Sequence, residues 1–166
     1  YITAEEFDKI NETMKGEFEG IGIEFSILDG YITVISPIAG TPSDKAGLLS
    51  GDQIIKINGS SAYKIKQADI IKQLRGPKGT AVVVTIKRLG VESFDVTLVR
   101  DKIPIRSIAS SFIINDNIGY IKVTRFASTT FDEFTEAIDK LEDGGMEKLL
   151  IDLGQLAIFY NYKLYL

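Results

Sequence analysis

The stretch Y-I-T-V-I-S-P-I-A-G-T-P-S-D-K-A-G-L-L-S-G-D-Q-I-I-K-I-N-G, Tyr31 to Gly59, constrains the fold more than any other part of the chain. Tyr31 to Ile35 is rich in β-branched residues and reads as a strand. Asp52 to Ile57 reads as another, closed by the turn pair Asn58-Gly59. Between them Ser36 to Ala46 carries Pro37, Gly40 and Pro42, so it predicts a loop with at most one helical turn, at Ser43 to Ala46. Upstream, Gly22 to Leu28 reads as a strand that meets Tyr31 through the hairpin pair Asp29-Gly30.

Around this centre the chain alternates short strands with helices. Residues 3–15 predict an amphipathic packing helix, with Phe7, Ile10 and Met14 on one face and Gly16 at its end. Residues 66–74 predict a two-turn helix, ended by Gly76, Pro77 and Gly79. Ala81 to Arg88 and Ser93 to Arg100 predict two strands around Leu89-Gly90. Pro104 then marks a boundary. Ser107 to Ile114 and Gly119 to Val123 predict a hairpin around Asn115-Asp116-Asn117. A helix follows from Thr130 to Asp143, with Phe131, Phe134, Ile138 and Leu141 as its apolar stripe and a Thr130–Glu133 capping-box spacing. Lys148 to Leu153 is a near-continuous apolar run, the pattern of a buried parallel strand.

Composition excludes more chemistry than it suggests. The 166 residues are 45% hydrophobic and 25% charged, in the range of globular domains, and the net charge of -4 predicts no nucleic-acid partner. No apolar run approaches the roughly 20 residues of a membrane helix. There is no cysteine and no histidine. Ser-His-Asp and Cys-His catalysis are thereby excluded from this chain, as are His-ligated and thiolate metal sites. A serine or threonine activated by lysine is left for nucleophilic catalysis. Ser107, Ser110, Ser111 and Ser128 lie near Lys102 and Lys122 in sequence, but a surface pair is the expected role for such combinations. Asp152, at the end of the last strand, reads as a turn-capping residue. The expectation is therefore no catalytic residue, no metal and no cofactor within this chain.

The segment F-E-G-I-G-I-E-F, Phe18 to Phe25, puts two glycines in an otherwise strand-like run. A dinucleotide loop needs a third glycine and a following helix, and Phe25 stands where that glycine belongs. A nucleotide-binding module is thus disfavoured. Glycines ahead of a strand leave backbone N–H groups free to receive a carboxylate, and the strand beyond can accept an extended peptide by β-augmentation. Residues 66–74 supply a helix for the facing wall.

These residues carry a family resemblance. G-I-G-I, followed by S-P-I-A-G-T-P-S-D-K-A-G-L-L-S-G-D-Q-I-I-K-I-N-G over Ser36 to Gly59, resembles a PDZ domain. Q-L-R-G-P-K-G-T at residues 73–80, I-G-Y-I-K-V-T-R-F-A-S-T-T-F-D-E-F-T-E-A-I-D-K-L from Ile118 to Leu141, and L-L-I-D-L from Leu149 to Leu153 resemble the carboxyl-terminal processing, or tail-specific, serine peptidases. The resemblance implies an α+β fold: a PDZ-like partly open β-barrel or sandwich with two helices, plus a strand-strand-helix-strand fragment of an α/β protease core. It divides the chain into an amino-terminal helix of the core region (1–16), the PDZ domain (17–100), the start of the core (101–153) and an atypical tail (154–166).

The resemblance also implies function. In this family the PDZ domain receives substrate C-termini, and a serine–lysine dyad cuts them. On this sequence the carboxylate loop is Gly20, Ile21, Gly22 and Ile23. The groove is walled by Ile23, Phe25, Ile71 and Leu74, with Gln67 near its mouth. Arg75, after the groove helix, is either a cation at a helix C-terminus or an interdomain arm reporting ligand occupancy. After Leu153 the family pattern breaks, with Gly154 in place of an expected arginine. The nucleophile and base lie outside this chain, which is expected to be inactive alone. The expected partners are C-terminal peptides of substrate proteins. The expected location is the bacterial cell envelope or periplasm, and a homo-oligomer and a membrane-associated parent are compatible with the resemblance. The competing reading is a non-enzymatic PDZ adaptor.

Overall fold

The computed structural model describes residues 3–114 and 117–154, which leaves the tail after Gly154 and the Asn115-Asp116 part of the predicted turn outside the described residues. Its contacts divide into two units, Phe18 to Ile103 and a second that groups residues up to Glu17 with those from Pro104 onward. The chain opens with α1 (Ala4–Lys15). There follow β1 (Glu17–Gly20), β2 (Ile23–Leu28), β3 (Tyr31–Pro37), α2 (Pro42–Lys45), β4 (Gln53–Ile57), β5 (Ser60–Ser61), α3 (Gln67–Leu74), β6 (Ala81–Lys87), β7 (Phe94–Val99) and β8 (Asp101–Pro104). The last elements are β9 (Ile108–Ile114), β10 (Ile118–Val123), α4 (Thr130–Asp143) and β11 (Lys148–Asp152).

In the unit from Phe18 to Ile103, β2, β3, β4, β6 and β7 lie side by side in that order, with β5 paired to β4. Neighbouring strands pair antiparallel throughout. The β2–β3 hairpin turns on Asp29 and Gly30, at φ 52° and 83°, the left-handed pair that a two-residue turn requires. The sheet is open; it does not close into a barrel. Alternation places Val82, Val84 and Ile86 of β6 inward and their neighbours outward. They pack with Ile32, Val34, Ile54, Ile57, Leu98 and the inner face of α3, Ile70 and Leu74, in one core. Each such aliphatic side chain contributes about 1.5–3 kcal/mol by leaving water. The strands β1 and β8 pair with each other, an element the sequence reading did not separate from β2.

Two buried charges organise the connections of this unit. Asp52 is 1% exposed and accepts the Leu49 N–H at 2.8 Å and two bonds from Arg88, at 2.7 and 2.8 Å. Burial works to raise the Asp52 carboxyl, but the Arg88 guanidinium and the Leu49 N–H outweigh it and hold the group below its ordinary value. Arg100 reaches the C-terminus of α3 and donates to the Gln73 and Leu74 carbonyls at 2.8 and 3.1 Å. The sequence reading offered Arg75 as the cation at this helix end. Arg100 bonds these two carbonyls from 26 residues downstream of Leu74, a second cation at the same helix end.

In the other unit β9 and β10 pair antiparallel, and β11 lies parallel to β10 with Ile118 opposite Lys148. The expected strand-strand-helix-strand order is present. Ile121, Val123, Ala137 and Leu141 form its core. Three expectations need correction. The run Lys148 to Leu153 was expected to be buried, yet Leu149, Leu150 and Ile151 are exposed, because β11 is an edge strand among the described residues. Likewise Phe7, Ile10 and Met14 share a helical face, but that face is exposed. The Thr130–Glu133 spacing does not make a capping box either. Glu133 instead accepts the N–H groups of Ser107 and Ile108, at 2.8 and 3.2 Å, and so ties α4 to the start of β9. No described helix is long and apolar enough to cross a membrane.

Candidate functional site

The two glycines of F-E-G-I-G-I-E-F do not sit inside one strand. The first, Gly20, ends β1, and Gly22 connects onward to β2 with φ +80°. That left-handed backbone is strained for any residue with a Cβ. Space is closed as well: a Cβ on Gly22 would collide with the Cβ of Thr41. Between the glycines, Ile21 sends its side chain into the core and is 3% exposed. The loop is therefore anchored by Ile21 and bent by Gly22.

Beyond it, β2 forms one edge of the sheet among the described residues. The Ile38 N–H donates to the Gly22 carbonyl at 2.9 Å across the Ile23–Pro37 pair. That bond makes Ile23–Pro37 a non-hydrogen-bonded pair, so the N–H and C=O of Ile23 turn outward to the free edge. An extended peptide laid along this edge would find them unengaged by β3.

A cleft of about 170 Å³ opens between this edge and α3. Ile21, Gly22, Ile23 and Phe25 line one side, and Ile71 and Leu74 of α3 line the other. Six of the residues assigned to the loop and groove from sequence thus meet in one place. Gly20 lies beside it, with its Cα side facing the Phe18 ring and the Arg75 stem. Gln67 starts α3, one helical turn before Ile71; it is exposed and does not line this cleft.

Two wall residues escaped the groove assignment. Phe18 of β1 lines the cleft, and the Arg75 guanidinium stacks over its ring at 4.2 Å from the centroid. The aromatic body and cationic head together give the otherwise apolar cleft a positive rim. Sequence placed Phe18 next to the glycine pair, but nothing local showed that β1 turns it toward α3. Thr41 and Ser43, buried beneath the loop, were also missed, because they lie in the proline-punctuated loop about 20 residues downstream.

The serines and lysines of the second unit have other partners. Ser107 is buried, and its hydroxyl lies 2.7 Å from that of Thr130. Ser128 donates to the Lys15 carbonyl at 3.0 Å. Lys122 is cross-strand from Ser110, but its ammonium lies 3.9 Å from Asp152. Asp152 also accepts the Tyr120 hydroxyl at 2.6 Å and the Gly154 N–H at 2.8 Å. The Tyr120 hydrogen bond, then that of Gly154, holds its carboxyl below the ordinary range, and the same contact raises the Tyr120 phenol. Among the described residues no acidic cluster is arranged to hold a metal.

Comparison with known proteins bears on the family and the fold. The PDZ domain family matches residues 20–98. The carboxy-terminal processing protease CtpA of Bacillus subtilis is 40% identical over 153 residues, which is 92% of this chain and 33% of that protein. A carboxy-terminal-processing protease of Bartonella bacilliformis is 36% identical over 143 residues, 86% of this chain and 32% of that protein. Among solved structures, a photosystem II D1 C-terminal processing protease superposes with a TM-score of 0.56 at 23% identity, over 82% of this chain and 40% of its own. The chain spans about a third of the length of the curated relatives it matches. The chain thus carries a PDZ domain and, over most of its own length, is a homologue of proteins named carboxy-terminal processing proteases.

Proposed function

We propose that the cleft between β2 and α3 receives the free C-terminus of a substrate protein. The observation that carries this is the outward-facing backbone of Ile23, next to the left-handed Gly22, across from an apolar helix face. The terminal carboxylate sits at the loop Gly20 to Ile23, and the residues before it add to the edge of β2 as an extra strand. Main-chain bonds supply affinity, and Phe25, Ile71 and Leu74 contact side chains of the peptide. The Arg75 charge at the rim favours an anionic end over a neutral one.

The protein of which this chain is part uses that capture for carboxyl-terminal processing, with a serine nucleophile and a lysine base supplied outside these residues. The relatives named as processing proteases support this, because their similarity extends well beyond the PDZ residues, which a stand-alone adaptor would not need. A bacterial envelope or periplasmic location accompanies the reading, and fractionation of the parent protein tests it.

Binding of a C-terminal peptide library to the chain, each peptide as free acid and as amide, tests the capture. A preference for the acid of about tenfold or more is expected, as for charge-assisted bonds to a carboxylate. Equal binding of acid and amide would sink the assignment.

A further inference from the structure

Two hydroxyls sit beneath the carboxylate-receiving loop with no role assigned to them. Ser43 is 0% exposed and Thr41 is 3% exposed. The Ser43 hydroxyl lies 2.8 Å from the Ile21 carbonyl and 2.5 Å from the Gly22 carbonyl. The Ser43 backbone N–H donates to the Ile21 carbonyl as well, at 3.0 Å. The Thr41 hydroxyl lies 2.6 Å from the Ile38 carbonyl, 3.1 Å from the Gly22 carbonyl and 3.2 Å from the Ser43 hydroxyl. Each hydroxyl carries one proton, shared among these acceptors, and together with the Ile38 and Ser43 N–H groups the two hydroxyls hold the loop carbonyls from below, 16 to 22 residues away in sequence.

The geometry of the peptide unit turns this grip into a direction. No peptide bond here is cis. In a planar trans peptide the C=O of one residue and the N–H of the next point opposite ways. Holding the Ile21 carbonyl inward aims the Gly22 N–H outward. Holding the Gly22 carbonyl inward does the same for the Ile23 N–H. Both residues line the cleft. We propose that Thr41 and Ser43 are positioning residues of the binding site: they fix the loop carbonyls and so preorganise the Gly22 and Ile23 N–H groups toward an incoming carboxylate. This rests on the C-terminal capture proposed above.

The alternative role for two buried hydroxyls is simple satisfaction of buried carbonyls, which stabilises the fold without affecting selectivity. The two differ in what they predict. Loss of a positioning hydroxyl frees the peptide planes to rock, and the bonds lost are those to the ligand's charge. Affinity for a free carboxylate falls while affinity for an amide, held by the strand edge and apolar walls, stays.

The test uses the whole 166-residue chain and decapeptides with an apolar last residue, each as free acid and amide. Thr41→Val keeps the shape and removes the hydroxyl; Ser43→Ala removes the other. Each is expected to weaken free-acid binding by about tenfold, the scale of one or two hydrogen bonds to a charge, with little change for the amide. Thr41→Ser, which keeps the hydroxyl, is expected to retain the wild-type acid-to-amide ratio. Retention of that ratio in both Thr41→Val and Ser43→Ala overturns the proposal alone. Equal acid and amide binding by the wild-type chain overturns the capture reading and this proposal with it. Should Ser43→Ala fail to fold, Thr41→Val against Thr41→Ser decides, read by the same ratio.

Discussion

The Arg100 guanidinium donates to the Gln73 carbonyl at 2.8 Å and so joins the end of the sheet to the end of the groove helix. Its remaining donors bond the Leu74 carbonyl, the Thr80 hydroxyl and the Ala81 carbonyl, at 3.0–3.1 Å. Nearly the whole fork is engaged, in a residue 9% exposed. Arg100→Ala leaves two helix-end carbonyls and a turn without their donor. A loss of about 2–3 kcal/mol is expected, the scale of buried bonds to a charged group, read by urea denaturation. Arg100→Lys recovers only part, since an ammonium lacks the planar fork. Amide exchange should rise first at the C-terminal turn of α3.

The Asp52–Arg88 pair predicts an acid response. Asp52 titrates below its ordinary value of 3.8 in the folded chain, so its contribution is fully present above that value and is lost as pH falls through the folded one. Asp52→Asn keeps the size and removes the charge. It is expected to destabilise the chain by about 2 kcal/mol at neutral pH and to flatten the fall of stability with acid. Thermal melts from pH 7 down to pH 2 check both.

Gly22→Ala confronts a left-handed φ of +80° and a Thr41 neighbour that has no room to yield. Destabilisation of about 2–4 kcal/mol is expected, from strain and overpacking together. Gly40, at φ +76° with open space around it, provides the control. There Ala meets strain without collision and should cost about 1 kcal/mol. Comparable melting temperatures for the two variants would contradict the steric account.

Arg75→Ala removes the charge stacked on Phe18 at the rim of the cleft. Free-acid peptides should bind about three- to tenfold more weakly, with the difference shrinking at high salt. Arg75→Lys keeps the charge but loses the planar stack and should fall between. If added salt affects wild type and Arg75→Ala alike, the rim charge does not act on the ligand.

Tyr120→Phe removes the hydroxyl held 2.6 Å from Asp152. The Asp152 carboxyl is then expected to titrate closer to its ordinary value, because the hydrogen bond that does most to stabilise its charge is gone while Gly154 and Lys122 remain. A carboxyl-detected NMR titration reads this directly, and an unmoved midpoint would show that the phenol is not what depresses it.

The elements themselves were mostly legible from sequence, for local reasons. Asp29-Gly30 turns the first hairpin because adjacent residues must both accept positive φ there. The alternation of Ala81 to Lys87 reports which face is buried, and Thr130 to Asp143 is a helix over the expected span. The cleft residues Ile21, Gly22, Ile23, Phe25, Ile71 and Leu74 were found together because the glycine pair and the helix stripe each mark one wall. What misled was exposure: the apolar stripe of α1 and the near-continuous apolar run of β11 have the patterns of buried elements, and a pattern states which residues are apolar but not what covers them.

By itself the sequence determined most of the strands, the hairpin turn at Asp29-Gly30, the groove helix and the absence of histidine and cysteine chemistry. These follow from backbone preference and composition, which neighbouring residues or simple counts specify. Only the tertiary structure decided that Thr41 and Ser43 hold the Ile21 and Gly22 carbonyls, that Arg100 closes α3 and that Arg75 stacks on Phe18. Each of those contacts joins residues at least 19 apart in the chain. A hydrogen-bonding side chain can serve any carbonyl within reach, and reach is set by how the sheet brings distant loops together.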